Sequence, residues 1–137
     1  PDGLLLTGGI DVGLSSKRDS TERYLLKKLE EKNKPVLGIC RGMQFLGLMG
    51  GGKLKSVEGH VKTMHNISGM FEGEVNSFHN FGFYKLPKEY NILAKTKDGC
   101  IEAMLQKNKR WMGLMWHPER TDNYNVEHIK ILREFFK

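Results

Sequence analysis

The amino-acid sequence predicts an α/β fold, because strand-like and helix-like segments alternate in its first forty residues. Residues 3–7 are mostly apolar and end at two glycines, residues 19–32 carry a helical stripe of leucines, and residues 35–39 are apolar again. A strand, a helix and a second strand in this order form a βαβ unit with a parallel strand pair. The chain of 137 residues is expected to be one domain, spanning residues 1–137.

The first helix is predicted to begin at Asp19, with Glu22 three residues later in a capping-box pattern. The stripe of leucines forms its apolar face, and Asn33 marks its end. Residues 12–17, between the first strand and this helix, are expected to be a loop.

The rest of the chain contains further strands and two more helices. The predicted elements are a helix over 43–49, short extended pieces over 53–84 that form a small antiparallel layer, a hairpin of 91–97 and 100–105, a buried strand over 111–116, and a helix over 125–136. The last helix shows Val126, Ile129, Leu132 and Phe136 at helical spacing, which predicts its buried face.

The segment from Gly38 to Gly42 is the most informative part of the chain. The order glycine, any residue, Cys40, any residue, glycine follows an apolar strand and precedes a helical segment. This is the cysteine form of a nucleophile elbow, in which a tight turn raises the nucleophile above the sheet. The amides of the following helix are expected to favour the thiolate. A cysteine simply buried at a strand end is the plainer alternative.

A cysteine nucleophile needs a base, and His117 is the best candidate among five histidines. It follows the buried strand 111–116, so it is expected at the sheet edge where the elbow lies. Glu119, two residues later, can accept a hydrogen bond from the imidazole and orient it. Cys40, His117 and Glu119 are therefore predicted to form an acyl-transfer triad, although His117 alone would suit a surface position equally well.

Stabilisation of an oxyanion is the third requirement for acyl transfer. Two glycines end the first strand, so bare backbone can approach a reacting carbonyl there. The amide of Gly9 or Ile10 is predicted to act together with the amide of Arg41.

Motifs along nearly the whole chain give it a family resemblance. In order they are Gly8-Gly9-x-Asp11, Arg18-Asp19-x-x-Glu22, Pro35 to Gln44 around the elbow, Gly51-Gly52-x-Leu54, Val75 to His79, Asp98-Gly99 with Ile101-Glu102-Ala103, and Trp116 to Glu119. This series is similar to that of the class I glutamine amidotransferase superfamily. Within the superfamily it resembles the gamma-glutamyl hydrolase branch, typified by gamma-glutamyl-GABA hydrolase and known as peptidase C26.

The resemblance implies a flavodoxin-like, mostly parallel sheet flanked by helices, and cleavage of a gamma-glutamyl amide through a thioester on Cys40. It implies that Gln44 lies near the glutamyl group and that Ser77, Phe78 and His79 line the substrate pocket. It also implies that strand–helix elements normally precede the first strand, so the domain is expected to be incomplete at its N-terminal side.

Two positions depart from the family's usual pattern. Phe81 stands where the family commonly has Gln, so the identity of the amine leaving group stays open. Gly47 stands where it commonly has Asn, and glycine within a helix indicates close packing.

Metal and nucleic-acid sites are weaker interpretations of the same sequence. His60 and His65, with Glu58 nearby, are spaced to lie on opposite faces of a strand, so no metal site is predicted. Thiolate and imidazole suffice for acyl transfer, so no cofactor is expected. The net charge of +6 is spread over the chain without interleaved aromatic residues, which disfavours nucleic-acid binding but suits an anionic substrate.

The expected function is a hydrolase that releases glutamate and an amine from a gamma-glutamyl small molecule. Its substrate is either similar to gamma-glutamyl-GABA or nucleotide-linked, as in gamma-glutamyl-CDP-amidate. The alternatives are a glutaminase subunit that delivers ammonia to a synthetase partner, and a non-catalytic binding module. No apolar stretch reaches membrane-spanning length, and only two cysteines are present, so a cytoplasmic location is expected. A homodimer is possible, and the sequence does not decide the oligomeric state.

Overall fold

The computed structural model describes all of residues 1–137. Its strands are β1 (Leu4–Leu6), β2 (Val36–Ile39), β3 (Lys55–Ser56), β4 (Val61–Gly69), β5 (Gly73–Phe78), β6 (Phe81–Gly82), β7 (Tyr90–Thr96), β8 (Ile101–Gln106) and β9 (Trp111–Leu114). Its helices are α1 (Ser16–Glu31), α2 (Arg41–Met49) and α3 (Val126–Phe136), and a short 3-10 helix covers Pro118–Arg120.

Seven of the strands form one sheet in the order β1-β2-β9-β8-β7-β4-β5. The strands β1, β2 and β9 run parallel, with Leu6 opposite Gly38 and Ile39 opposite Leu114. The other pairs in the sheet are antiparallel. The α/β class and the parallel βαβ unit are therefore confirmed. The sheet is not mostly parallel as predicted, because most of its strand pairs are antiparallel.

The predicted antiparallel layer over 53–84 is divided between two sheets. Strands β4 and β5 pair with each other and extend the main sheet through β7, whereas only β3 and β6 form a separate two-stranded sheet. The long hairpin of β7 and β8 lies where it was predicted and connects the two ends of the main sheet.

The predicted start of the first helix was wrong. Helix α1 begins at Ser16, and the Ser15 side chain caps it by accepting from the Arg18 amide. Asp19 and Glu22 are inside the helix and largely buried, so they are not free to cap its end. Asn33 has a φ of 50°, a left-handed conformation that ends the helix as predicted.

Helices cover both faces of the sheet. Helices α1 and α2 pack on one apolar cluster, which includes Leu26, Leu29 and Phe45, while α3 packs on the other. The predicted inner face of α3 was partly wrong, because Ile131, Leu132 and Phe135 contact the core. Val126 and Phe136, which end the helix, are exposed.

Helix α2 and strand β2 each have a glycine where another part of the chain packs too closely for a side chain. A Cβ atom on Gly47 would lie 2.3 Å from the Phe83 ring, which confirms the close packing predicted at that position.

None of the helices combines the length and the apolar character needed to cross a membrane.

Candidate active site

Cys40 lies at a sharp turn between β2 and α2. Its backbone has φ 53° and ψ −105°, which is rare for a residue with a side chain and typical of a strained functional turn. A Cβ atom on Gly38 would lie 2.4 Å from the carbonyl carbon of Gly42, and one on Gly42 would lie 2.1 Å from the Leu6 carbonyl oxygen. The turn thus has the elbow geometry that the two glycines predicted.

His117 lies beyond the end of β9 and is buried, with 3% of its surface exposed. Its Nδ1 lies 2.6 Å from Glu119 Oε1, so the carboxylate fixes one side of the ring. A Cβ atom on Gly8, beyond the end of β1, would lie 2.7 Å from His117 Cε1. Because β2 separates β1 from β9, the imidazole reaches across the end of the strand that carries Cys40.

Asn76 of β5 fixes the backbone of His117. Its side-chain nitrogen donates to the His117 carbonyl oxygen, its oxygen accepts from the His117 amide, and both distances are 2.8 Å. Two bonds from one planar amide hold the peptide in a single orientation. This role was not predicted from the sequence, although Asn76 lies in the motif Val75 to His79.

Two arginines hold the loop that follows β1. Arg18 donates to the carbonyl oxygens of Thr7 and Gly8 at 2.9 and 3.1 Å, and Arg41 Nε donates to that of Ile10 at 2.8 Å. A Cβ atom on Gly9, whose φ is 146°, would lie 2.2 Å from the Arg18 guanidinium. Three carbonyl groups of this segment therefore face the arginines.

The two arginines are in turn held by acids of α1. The Arg41 guanidinium is buried and bonds to both Asp19 and Glu22, and Arg18 Nε donates to Glu22 at 3.1 Å. Asp19 also accepts from the Gly13 amide at 2.9 Å. The Arg18, Asp19 and Glu22 motif thus links helix α1 to the predicted oxyanion loop, and it explains why its acids are not caps.

The surroundings of Cys40 favour its thiol form in the free protein. Burial raises its pKa to about 11, while the Arg41 amide and the Arg120 guanidinium act in the opposite direction. The amide at the start of α2 thus favours the thiolate, as predicted, but desolvation of the buried sulfur outweighs it. A base has to remove the proton when Cys40 attacks a carbonyl.

The residues predicted to line the substrate pocket differ in whether their side chains already have hydrogen-bond partners in the protein. Gln44 is buried and its side-chain nitrogen donates to the Phe81 carbonyl oxygen at 3.1 Å. Phe78 is half-buried and its ring meets that of His117 edge-on, with centroids 5.8 Å apart. Ser77 donates to the His60 carbonyl oxygen at 2.6 Å, and both ring nitrogens of His79 face protein oxygens. The side chains of Ser77 and His79 are thus already hydrogen-bonded within the protein, and the substrate contacts of this stretch stay a prediction.

Arg120 lies beside the candidate site and was not predicted from the sequence. It is exposed on the 3-10 helix after His117, and its guanidinium lies 4.7 Å from the centroid of the Phe78 ring. Its charge also acts on the Cys40 thiol. Its position directly after the His117–Glu119 motif was the only signal available in the sequence.

The predicted separation of His60 from His65 was wrong. A β-bulge at the start of β4, where Lys62 has a φ of 50°, shifts the register by one residue. The two imidazole rings consequently come together, with centroids 5.0 Å apart. His79 joins them, 4.9 Å from His60.

The comparisons with known proteins show the family of this chain. The family model of class-I glutamine amidotransferases matches residues 1–137. The chain belongs to the class-I glutamine amidotransferase family, whose domains are cysteine-dependent amidohydrolases.

Individual relatives differ in what they do. The chain is 34% identical over 139 residues to gamma-glutamyl-CDP-amidate hydrolase of Campylobacter jejuni, covering 97% of this chain and 68% of the relative. It is 33% identical over 150 residues to the glutamine-hydrolysing GMP synthase of Clostridium tetani, covering all of this chain but only 27% of the relative. A crystal structure from Thermoplasma acidophilum, described as that of a GMP synthase component, matches 98% of this chain and 71% of its own with a TM-score of 0.79, at 23% identity.

Proposed function

We propose that this protein hydrolyses a gamma-glutamyl amide and releases glutamate and an amine. The observation that carries the proposal is the convergence of three segments at the carboxyl edge of the parallel strands. Cys40 follows β2, the loop Gly8–Ile10 follows β1, and His117 follows β9 and reaches across to Gly8. Nucleophile, oxyanion donors and base are the three parts that acyl transfer requires.

In the first half of the reaction, His117 takes the proton of the Cys40 thiol as the sulfur attacks the gamma-carbonyl carbon. The high pKa of the buried thiol makes this transfer necessary at neutral pH. The negative charge on the carbonyl oxygen is stabilised by the amide of Arg41 and by that of Gly9 or Ile10. His117 then gives the proton to the departing amine, and a thioester with the glutamyl group remains.

In the second half, His117 accepts a proton from water, which attacks the thioester. Glutamate leaves, and the proton returns to the Cys40 sulfur. Glu119 keeps the imidazole oriented and stabilises its cationic form in both halves. Gln44 is placed in α2 one turn after Cys40, where it can contact the glutamyl group.

We further propose that the leaving amine carries phosphate, as in the substrate named for the Campylobacter jejuni relative. The exposed Arg120 beside Phe78 is a suitable phosphate ligand at the mouth of the site, and the net charge of +6 favours an anionic substrate. A glutaminase that feeds a synthetase is the second candidate. It is supported by the GMP synthase of Clostridium tetani, in which the matching segment is about a quarter of the chain.

A panel of gamma-glutamyl compounds tests these proposals. The purified protein is incubated with gamma-glutamyl-CDP-amidate, gamma-glutamyl-GABA and glutamine, glutamate release is measured, and the other product is identified by mass spectrometry. We expect hydrolysis without any partner, fastest for the nucleotide-linked substrate. Glutamine hydrolysis that appears only when a synthetase is added would favour the second candidate.

Arg120→Gln sharpens the assignment of the leaving group. It is expected to raise KM for the nucleotide-linked substrate about tenfold, through loss of one charge-assisted contact, while KM for gamma-glutamyl-GABA changes much less. Any change in kcat should be the same for both substrates, because the Arg120 charge also acts on the Cys40 thiol. Arg133→Gln, on helix α3, is the matched control. Absence of a covalent adduct between Cys40 and a glutamine-analogue electrophile would instead favour a non-catalytic binding module.

A further inference from the structure

A second cluster of reactive side chains lies beneath the antiparallel part of the sheet. His60, His79, Cys100 and Glu102 are all buried, and one ligand atom from each lies within 4.8 Å of the others. Glu102 is completely buried, and its Oε1 lies 3.3 Å from His60 Nδ1 and from His79 Nε2. His65 Nε2 lies 3.4 Å from the same oxygen.

Hydrogen bonding alone does not account for this arrangement. Nitrogen–oxygen distances of about 2.7–3.2 Å are usual for hydrogen bonds, and these three are longer. The contact with His79 Nε2 has the geometry of a long hydrogen bond, whereas the contacts with His60 and His65 do not. His60 Nδ1, His65 Nε2 and Glu102 Oε2 are buried without any hydrogen-bond partner. Several unpartnered polar atoms around one buried carboxylate are rare in a folded protein and point to a missing ligand.

The spacing fits a tetrahedral metal ion. Bonds of about 2.0–2.1 Å from a zinc ion to nitrogen or oxygen place neighbouring ligand atoms about 3.3–3.4 Å apart. The distances from Glu102 to His60 and His79 have this value. Cys100 supplies the longer-reaching sulfur donor, and Gly82 gives it space, since a Cβ atom there would lie 2.9 Å from the Cys100 sulfur.

The opposite ring nitrogens are already engaged, as they are in metal-binding histidines. His60 Nε2 lies 2.9 Å from Asp98 Oδ2, and His79 Nδ1 lies 2.9 Å from the Phe81 carbonyl oxygen. Partners of this kind fix the tautomer and leave the second nitrogen free to coordinate a metal. Here the second nitrogen of each ring is the one that faces Glu102.

We propose that His60, His79, Cys100 and Glu102 bind one Zn²⁺ ion. Imidazole, thiolate and carboxylate suit this ion, whereas Mg²⁺ and Ca²⁺ require sets of oxygen ligands. A surface cleft bordered by Glu58, His65 and Asp98 reaches His60 and provides a route of entry. His65 lies at this entrance.

The site is structural in character. Four protein ligands leave no position for a substrate, and their burial excludes water. The ligands come from three segments: His60 precedes β4, His79 follows β5, and Cys100 and Glu102 lie at the start of β8. A metal would join these segments behind Phe78, which contacts His117.

Metal content and binding affinity test the proposal. The purified protein is loaded with zinc and desalted, its metal is counted by mass spectrometry, and its affinity is measured in competition with a chromophoric chelator. We expect one zinc ion per chain in the wild type, and at least a hundredfold weaker binding in His60→Gln and Glu102→Gln. His128→Gln, a buried histidine outside the cluster, is the matched control and is expected to retain the ion.

Zinc bound at the Cys40 and His117 pair is the main competing outcome. Cys40→Ala distinguishes the two, because the proposed site keeps its zinc in that variant. Loss of the ion in Cys40→Ala, equal binding by Glu102→Gln, or no stoichiometric binding by the wild type would each overturn the proposal. In the last case the cluster is a metal-free imidazole–carboxylate network.

Cobalt substitution identifies the fourth ligand. A thiolate-to-cobalt charge-transfer band is expected in the wild type and is expected to be absent in Cys100→Ser. A metal-loaded wild type without this band would overturn Cys100 as a ligand and assign its position to His65.

A milder variant keeps the proposal testable if His60→Gln does not fold. Asp98→Asn changes the charge of the group that faces His60 Nε2, but it keeps the Oδ1 atom that accepts from the Thr96 hydroxyl and the Cys100 amide. Asp98 is half exposed, so the fold is expected to persist. The change should weaken zinc binding about tenfold and reduce the zinc-dependent rise in Tm. Unchanged affinity in this variant would contradict the assignment of His60 Nδ1.

Discussion

The two cysteines of this chain lie in different halves of one sheet and in opposite chemical settings. Cys40 follows a parallel strand and is accompanied by the Arg41 amide and by a histidine that reaches across its strand. Cys100 lies at the start of an antiparallel strand. Burial raises the pKa of its thiol above the ordinary range, and the nearby Glu102 carboxylate adds a smaller effect in the same direction. We propose acyl transfer for the first setting and metal binding for the second.

The buried acids of the two halves differ in the same way. Glu22, in the parallel half, is matched by two guanidinium groups. Glu102, in the antiparallel half, is surrounded by imidazoles at distances longer than good hydrogen bonds. Burial alone therefore does not define a role, because the partners supplied by the fold decide whether a carboxylate stabilises a loop or holds an ion.

The largest expected effect comes from Cys40→Ala. Removal of the nucleophile should lower kcat for gamma-glutamyl hydrolysis by at least about ten thousand-fold, since nothing else can form the thioester. Glutamate release measures the loss, and an unchanged circular dichroism spectrum and Tm serve as the control. Residual turnover within tenfold of the wild type would show that the parallel half is not the reacting half.

The pH dependence of Cys40 alkylation gives the next largest effect. Because burial raises its pKa to about 11, the thiolate is scarce at neutral pH and becomes about ten times more abundant with each pH unit. The rate of alkylation by iodoacetamide should therefore rise about a thousandfold between pH 7 and pH 10. Peptide mass spectrometry restricts the measurement to Cys40, and a plateau below pH 8 would instead indicate a preformed thiolate–imidazolium pair.

Glu22→Gln tests the buried acid of the parallel half through its effect on stability. The change leaves the buried Arg41 short of one counter-charge and should lower the free energy of unfolding by about 3 kcal/mol. Urea unfolding with an unchanged m-value measures it. Glu127→Gln removes an exposed pair with Lys130 and should cost less than about 1 kcal/mol. Equal losses in the two variants would contradict the role given to the Glu22 network.

Asn76→Ala should have the smallest effect, because it displaces His117 without removing it. We expect kcat to fall about tenfold while KM and Cys40 alkylation stay nearly constant, since only the position of the base changes. Asn91→Ala, at an exposed asparagine of β7, is the matched control. An equal fall in kcat and in alkylation rate would indicate a general loss of structure.

Much of the parallel half could be predicted from local sequence. The two elbow glycines, the strand before them and the helix after them are neighbours in the chain, so sterics at Cys40 follow from the order of residues alone. The spacing of His117 and Glu119 likewise gives their contact directly. The capping interpretation of Asp19 failed because the same residue type also suits a buried partner for Arg41, which lies 22 positions away.

What the sequence determined by itself was therefore the elbow, the βαβ unit and the histidine motif, each of which has a recognisable pattern within a short stretch of the chain. The tertiary structure alone decided which strands lie next to each other. That arrangement places the His117 ring beside Gly8 and lets the Asn76 side chain bond to the His117 backbone. It also decided the His60 cluster, because one bulge in β4 reversed the faces that simple alternation assigned. Alternation fixes the side of a strand only while its register is regular, and register is set by the partner strand.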